Sequence, residues 1–290
     1  MKYTFKQFQK EFPDDDTCLD TIMETRYGGR EFTCPSCGAD SKFHKIAKRR
    51  AYACQHCGHH IYPCAGTPFE KSRTPLTDWF FAMYLMTSTR HGVAAKELER
   101  QIGCTYKTAW RMAHKLRELM AQSDSDDPMG GHIEIDEAYL GGRKSGKRRK
   151  GDKTLIFGMV ERQGIVRAGP IPMIAANHVE PIIMQNVIRG STISTDEHRA
   201  YFDLDRCGYH HGSVTHSRKE YVRGKHHTNT IEGYWAQLKR GIRGTHIHVS
   251  RKHLSKYIAE FSFRMNWRFS HAAMFYRLIW GISQPRLADD

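Results

Sequence analysis

Two Cys-x-x-Cys turns constrain this chain more than any other feature. Cys34-Pro35-Ser36-Cys37-Gly38 and Cys54-Gln55-His56-Cys57-Gly58 are separated by 16 residues. Each turn aims two thiolates at one point, and two turns complete a tetrahedral site for one structural zinc ion. A glycine after each second cysteine lets the chain double back. All four ligands come from the protein, so the metal holds structure, and residues 31–65 are predicted to be a small zinc ribbon. The alternative, two redox pairs, lacks the βαβ surroundings of a thioredoxin-like site. Cys18, Cys64, Cys104 and Cys207 are scattered, which is not a disulfide framework and suits a reducing compartment.

Around the ribbon the periodicity is helical. Residues 1–30 read as short helices, with Asp14-Asp15-Asp16 at a start and Gly28-Gly29 at an end. Residues 72–121 form a helical region. Thr74-Pro75 opens one helix, with Thr as the cap and Pro at the first helical position. Val93 to Ile102, Gly103 and a second helix capped by Thr105 make a helix-turn-helix candidate. In the second helix Ala109, Ala113, Leu116 and Met120 form the buried stripe. Tyr106, Lys107, Thr108, Arg111 and Lys115 are left outside for DNA; the alternative is an ordinary helical hairpin. Residues 122–131 are a polar linker.

From residue 132 the period changes to strands alternating with helices. His132 to Asp136, Leu155 to Val160, Ile165 to Ile174 and Ile193 to Asp196 are predicted strands, with Ser213 to His216 a fifth. Helices are expected over His178 to Ile188, Glu197 to Leu204 and from Thr230 onward. That order implies an α/β fold with a mixed sheet over residues 132–250, followed by C-terminal helices over 251–290.

Charge points to a polyanionic partner. The formal net charge is +14, and it is uneven: residues 131–290 carry 26 basic against 15 acidic side chains, residues 1–130 only 19 against 16. Arg143, Lys144, Lys147, Arg148, Arg149 and Lys150 form a basic run after the first predicted strand of this region, read as a DNA-contacting loop. No signal peptide and no membrane-length apolar run is visible, which places the protein in the cytoplasm, with the nucleoid.

Three acids fall at element ends in this basic region: Asp136, Asp196 and Glu232. Ile133 and Ile135 share one face of a strand, so Glu134 and Asp136 share the other. Carboxylates converging from such ends bind hard divalent cations. Two cations activate an attacking oxygen and stabilise a leaving one at a phosphodiester. Singly, each acid has a plainer reading: a turn residue for Asp136, a helix cap for Asp196, a capping-box partner of Asn229 for Glu232. On the helix after Glu232, Ile231, Trp235, Leu238 and Ile242 form a core stripe. Glu232, Ala236, Lys239 and Arg243 form the neighbouring one, which with Arg240 offers cations to a phosphate.

These strings resemble bacterial insertion-sequence transposases of the DDE type, the ISXO-type group with a zinc ribbon and an RNase H-like catalytic domain. The likeness rests on the two cysteine turns, Gly66-Thr67-Pro68-Phe69, Trp79 and Thr105-Tyr106-Lys107-Thr108-Ala109-Trp110. It continues in Ile135-Asp136-Glu137-Ala138-Tyr139-Leu140-Gly141-Gly142, Ser194-Thr195-Asp196-Glu197-His198, His227-Thr228-Asn229-Thr230-Ile231-Glu232-Gly233, Trp235 to Lys239, and His253-Leu254. The resemblance implies a catalytic triad of Asp136, Asp196 and Glu232, followed by Lys239, with 35 residues between the second and third acids. It implies two Mg²⁺ or Mn²⁺ ions, cleavage at transposon terminal inverted repeats, strand transfer into target DNA, and a homodimer or higher assembly. Two rivals stay open: a non-enzymatic DNA-binding regulator built from ribbon and helix-turn-helix, and another RNase H-like nuclease.

Overall fold

The computed structural model describes residues 3–124, 126–141 and 153–283. The basic run at 143–150 lies outside these residues. The chain divides into two compact units. Residues 1–123 and 267–290 form one, residues 124–266 the other.

In the first unit α1 (Phe5–Glu11) and α2 (Asp15–Tyr27) precede a four-stranded antiparallel meander. Its strands are β1 (Glu31–Thr33), β2 (Asp40–Lys45), β3 (Tyr52–Cys54) and β4 (His60–Ile61). Asp14 caps α2 through the Thr17 N–H at 2.8 Å, and Gly28 ends it in the left-handed region. Next come α3 (Leu76–Ser88), α4 (Ala95–Ile102) and α5 (Tyr106–Gln122). Pro75 occupies the cap position of α3 and makes no side-chain cap bond. Asp15 supplies the cap instead, accepting from the Thr77 N–H at 2.9 Å and its hydroxyl at 3.1 Å. A cap brought from a distant helix leaves no local signature, which is why Thr74 was the expected one.

Gly103 closes α4 in the left-handed region, and Thr105 caps α5 by accepting from the Thr108 N–H at 3.3 Å. Ala109, Ala113, Leu116 and Met120 are fully buried, while Tyr106, Lys107 and Arg111 are exposed and Thr108 and Lys115 half-buried. The last helix, α9 (His271–Gly281), returns to this unit and packs beside α2, α3 and α5. Phe8, Phe12, Phe80 and Phe275 build an aromatic core, Phe12 lying 4.9 Å from Phe80 and 5.7 Å from Phe275.

The second unit is a five-stranded mixed sheet in the order β7-β6-β5-β8-β9. Its strands are β5 (His132–Gly141), β6 (Lys153–Glu161), β7 (Val166–Pro170), β8 (Thr192–Thr195) and β9 (His210–Ser213). β5, β6 and β7 are antiparallel neighbours; β8 and β9 run parallel to β5. This is the RNase H-like arrangement. The last strand comes earlier in the chain than the residues expected to form it. The helix expected over Glu197 to Leu204 is a single 3₁₀ turn, Arg199–Tyr201.

Alternation along β5 feeds two cores. Ile133 and Ile135 face α6 (Ala176–Asn186), packing with Phe157, Met159, Val179 and Ile183. Ala138 and Leu140 face α7 (Asn229–Gly241) and α8 (Leu254–Asn266), packing with Trp235, Leu238, Ile258 and Phe261. Met129, from the expected linker, is fully buried in the first of these cores and bridges to Val187. The C-terminal helices divide: α8 belongs to the sheet unit and α9 to the first unit. Asn266, at the end of α8, donates through Nδ2 to both carboxylate oxygens of Asp124 at 3.0 Å. The same side chain accepts from the Val166 N–H at 2.7 Å, so the two ends of the unit are latched together.

Candidate metal and catalytic sites

The two cysteine turns fold alike. Gly38 N–H donates to the Cys34 carbonyl at 2.9 Å and Gly58 N–H to the Cys54 carbonyl at 3.0 Å. Both glycines sit near φ +73°, where a Cβ would be strained. All four sulfurs converge within 4.8 Å of one another. Cys34 Sγ lies 3.8 Å from Cys57 Sγ, and Cys37 Sγ 4.0 Å from Cys54 Sγ. Four thiolates about 2.3 Å from zinc stand roughly 3.8 Å apart at the corners of a tetrahedron, so the donor set fits that ion. The Ser41 hydroxyl, 3.1 Å from Cys54 Sγ, and the N–H groups of Cys57 and His56 pull the Cys54 thiol down to about 5. It is therefore available as a thiolate at neutral pH.

A second group of ligands forms on the sheet. Pairing of β5 with β8 stops at Glu134 opposite Ser194. Two residues further along each strand come Asp136 and Asp196, so parallel register sets them side by side. β5 does not end at Asp136, as the sequence suggested; it continues to Gly141 because Glu137 to Gly141 keep pairing with β6. Asp136, Asp196 and Glu137 bring carboxylate oxygens within 4.8 Å of one another. Burial, then the charges of Glu137 and Asp196, push Asp136 up to about 7. Burial also raises Glu137, whose Oε2 accepts from the Tyr201 hydroxyl at 2.8 Å. An all-oxygen donor set, crowded enough to hold protons, fits a hard divalent cation that would relieve the repulsion.

Each acid is oriented. Asp136 Oδ2 accepts from the Trp235 indole N–H at 3.0 Å. Asp196 Oδ1 accepts from the His198 N–H at 2.9 Å, but the cap of the 3₁₀ turn that follows is His198, not Asp196 as its plainer reading had it. Trp235 is buried, as its stripe required, and the periodicity gave no sign of its bond to the acid. Gly158, paired across the sheet with Asp136, makes room for the indole: a Cβ there would lie 2.6 Å from Trp235. Gly158→Ala is expected to lose about 1–3 kcal/mol of stability in urea unfolding through overpacking. It is also expected to displace the indole from Asp136, read as a shift in tryptophan emission. An unchanged midpoint and spectrum would remove Gly158 from the account.

Glu232 lies in the first turn of α7, half exposed, and does not join the 4.8 Å group among the described residues. Its Oε1 accepts from the Thr228 hydroxyl at 2.9 Å and lies 3.7 Å from His216 Nε2. Thr228, not Asn229, occupies the cap position of α7, and the N–H groups of Thr230 and Ile231 are taken by the buried carboxylate of Glu134. Glu197, next to Asp196, holds the 3₁₀ turn His216–Arg218 by accepting from the His216 N–H at 2.8 Å and the Ser217 N–H at 3.0 Å. These donors lower its carboxyl to about 2. Beyond Glu232 on α7, Lys239, Arg240 and Arg243 line an open depression of about 580 Å³ with Ala236 and Gly244.

Two carboxylates meeting from the first strand of the sheet and the end of the fourth, and a zinc-ribbon donor set elsewhere in the chain, are the two sites that comparisons with known proteins place in one class, transposases. Residues 128–266 match the ISXO2-like transposase domain, and residues 13–60 match the transposase zinc-ribbon domain. A Halobacterium salinarum protein described as an uncharacterized protein in transposable element ISH50 is 30% identical over 278 residues, 88% of this chain and 92% of that protein. Two solved structures are more distant. The catalytic core domain of BIV integrase is 16% identical, with a TM-score of 0.33, over 46% of this chain and 82% of its own. A chain of a pre-cleavage Mos1 transpososome is 9% identical, with a TM-score of 0.29, over 73% and 80%. The chain belongs to the ISXO2-like transposase family. Among the described residues no helix is long and apolar enough to cross a membrane.

Proposed function

We propose that this transposase nicks DNA at the terminal inverted repeats of its element and joins the freed 3′ end to target DNA, using Asp136, Asp196 and Glu232. The single observation that carries the reading is the convergence of Asp136 on β5 and Asp196 just past β8, where burial and like charge raise the Asp136 carboxyl. When bound, a pair of Mg²⁺ or Mn²⁺ ions supplies charge stabilisation at the scissile phosphate.

The chain's own groups do the rest. Trp235 fixes one oxygen of Asp136 and leaves the other for the ion. Glu232, on the turn of α7 before Trp235, accepts from the Thr228 hydroxyl and would have to give up that bond to serve as the third carboxylate. Lys239, Arg240 and Arg243 hold the phosphate backbone along the depression on α7. In the first step a water oxygen bonds to phosphorus and the P–O3′ bond breaks, leaving a 3′-hydroxyl and a 5′-phosphate. In the second that hydroxyl bonds to a target phosphorus and the target's own 3′ oxygen leaves. No covalent enzyme–DNA bond forms. The outer face of α5, with exposed Tyr106, Lys107 and Arg111 and half-buried Thr108 and Lys115, reads the ends in the major groove. Two ends require at least two chains.

The test is nicking and joining of DNA carrying the flanking ends, with Mg²⁺ or Mn²⁺. Glu232→Gln is expected to lower the nicking rate by about 10²-fold or more with end binding retained. A wild-type rate for that variant, with Glu137→Gln inactive, would move the third carboxylate to Glu137. End binding without any nicking by the wild type would favour a DNA-binding regulator.

A further inference from the structure

Glu134 is a fully buried carboxylate that the proposed chemistry does not use. An ion taken out of water is costly, so its partners indicate what it is for. Oε2 accepts from the Thr230 N–H at 2.7 Å and the Ile231 N–H at 3.2 Å, and Oε1 accepts from the Thr230 hydroxyl at 2.9 Å. These are first-turn donors of α7, which no residue of that helix's own entry satisfies. An anion at a helix N-terminus also meets the positive end of the helix dipole.

The counter-charge comes from the other side. Arg162, just past β6, donates Nε to Glu134 Oε1 at 2.7 Å. Its remaining nitrogens reach the carbonyls of Lys225 at 2.9 Å and His227 at 3.2 Å, in the segment that leads into α7. His227 Nδ1 lies 3.1 Å from the same carboxylate oxygen. One carboxylate and one guanidinium therefore fasten both the start of α7 and its incoming chain to the sheet.

The position of that fastening matters more than its strength. Glu134 stands two residues before Asp136 on the same face of β5. Thr230 and Ile231 immediately precede Glu232. The second tie, from Trp235 to Asp136, lies one turn further along α7.

We propose that Glu134 is a positioning residue: with Arg162 it sets the separation of Asp136 and Glu232, and so the geometry in which divalent cations and scissile phosphate are held. The proposal rests on Glu232 being the third carboxylate. It assigns Glu134 no contact with substrate.

The test uses the full chain with Glu134→Gln, which keeps the shape and removes the charge, and Glu134→Asp, which keeps the charge on a shorter stem. Glu260→Gln is the control: Glu260 is as buried and also pairs with an arginine, Arg264 at 2.9 Å, but within α8. Two quantities are read on each protein. One is nicking of end DNA, separated into kcat and KM. The other is Mn²⁺ binding without DNA, followed by the electron paramagnetic resonance signal of free Mn²⁺. For Glu134→Gln a kcat lowered about 10²-fold with KM nearly unchanged is expected, as for a small misplacement of reacting groups. Its Mn²⁺ affinity is expected to weaken about 10-fold, with Glu134→Asp recovering part of both losses. Glu260→Gln is expected to lower the melting temperature and leave both quantities near wild type.

The proposal is overturned when Glu134→Gln and Glu260→Gln, compared at equal folded fraction, show the same kcat and the same Mn²⁺ affinity. A loss confined to KM overturns it as well. Where Glu134→Gln does not fold, Glu134→Asp is held to the same comparison. Wild-type activity in Glu232→Gln sinks the triad assignment, a result separate from the behaviour of Glu134.

Discussion

Asp196→Ala is expected to bind end DNA as the wild type does and to nick it at least about 10³-fold more slowly, with no strand transfer. The expectation follows from where the residue stands. β8 stops pairing with β5 at Ser194, and the two strands then present Asp196 and Asp136 to the same space. Removing one carboxylate leaves a donor set too sparse to hold cations on both sides of a phosphate. It also removes one of the charges that hold the Asp136 carboxyl up near 7, so Asp136 in the variant ionises at lower pH than before. The variant should therefore retain weak Mn²⁺ binding at neutral pH while losing its chemistry. Gel analysis of labelled ends measures the rate. A rate within a few-fold of wild type would remove Asp196 from the site.

Loss of the zinc site should have an equally large effect on a different part of the chain. Cys54→Ser, or chelation of the wild type, is expected to release one zinc ion per chain and to unfold residues 31–61. Metal binding and folding are one equilibrium in such small modules, with apparent binding free energies of about 10–16 kcal/mol at neutral pH. Besides the metal the ribbon is held by ties to α2, among them Tyr52 to Asp20 and Arg50 to Asp15. Its apolar centre includes the stacked Phe32 and Phe43, 4.3 Å apart, and buried Tyr52. Limited proteolysis should cut the ribbon of the stripped protein while the unit of residues 124–266 resists. Protection of the ribbon in the zinc-free protein would show that the sulfurs converge without needing the ion.

The features visible in the sequence were those encoded locally. Cysteine spacing announced the ribbon, and its glycines announced the turns. The 3.6-residue stripes of α5 and α7 put Ala109, Leu116, Ile231, Trp235 and Leu238 in cores, where they lie. Two of the three expected acids meet. Features made by partners far apart in the chain left no local trace. Glu134 reads as an ordinary polar residue on a half-buried strand until Arg162 and Thr230 are seen around it. Glu137 joins the acids because β5 outruns its expected end, which depends on its pairing with β6. The cap of α3 comes from Asp15, about sixty residues away. Buried Arg117 and His114 lie on the apolar side of α5, where only tertiary surroundings explain a charge or an imidazole.

The latch between Asp124 and Asn266 has a consequence for the order in which the protein is made. In the sequence the sheet unit interrupts the other unit, beginning after Ser123 and ending before Trp267. A growing chain thus holds every residue of the sheet unit once Asn266 has emerged, while the first unit still waits for α9. Phe275 of α9 completes the aromatic core with Phe8 and Phe12. Translation that stops between the two leaves a complete sheet unit attached to a first unit that still lacks α9.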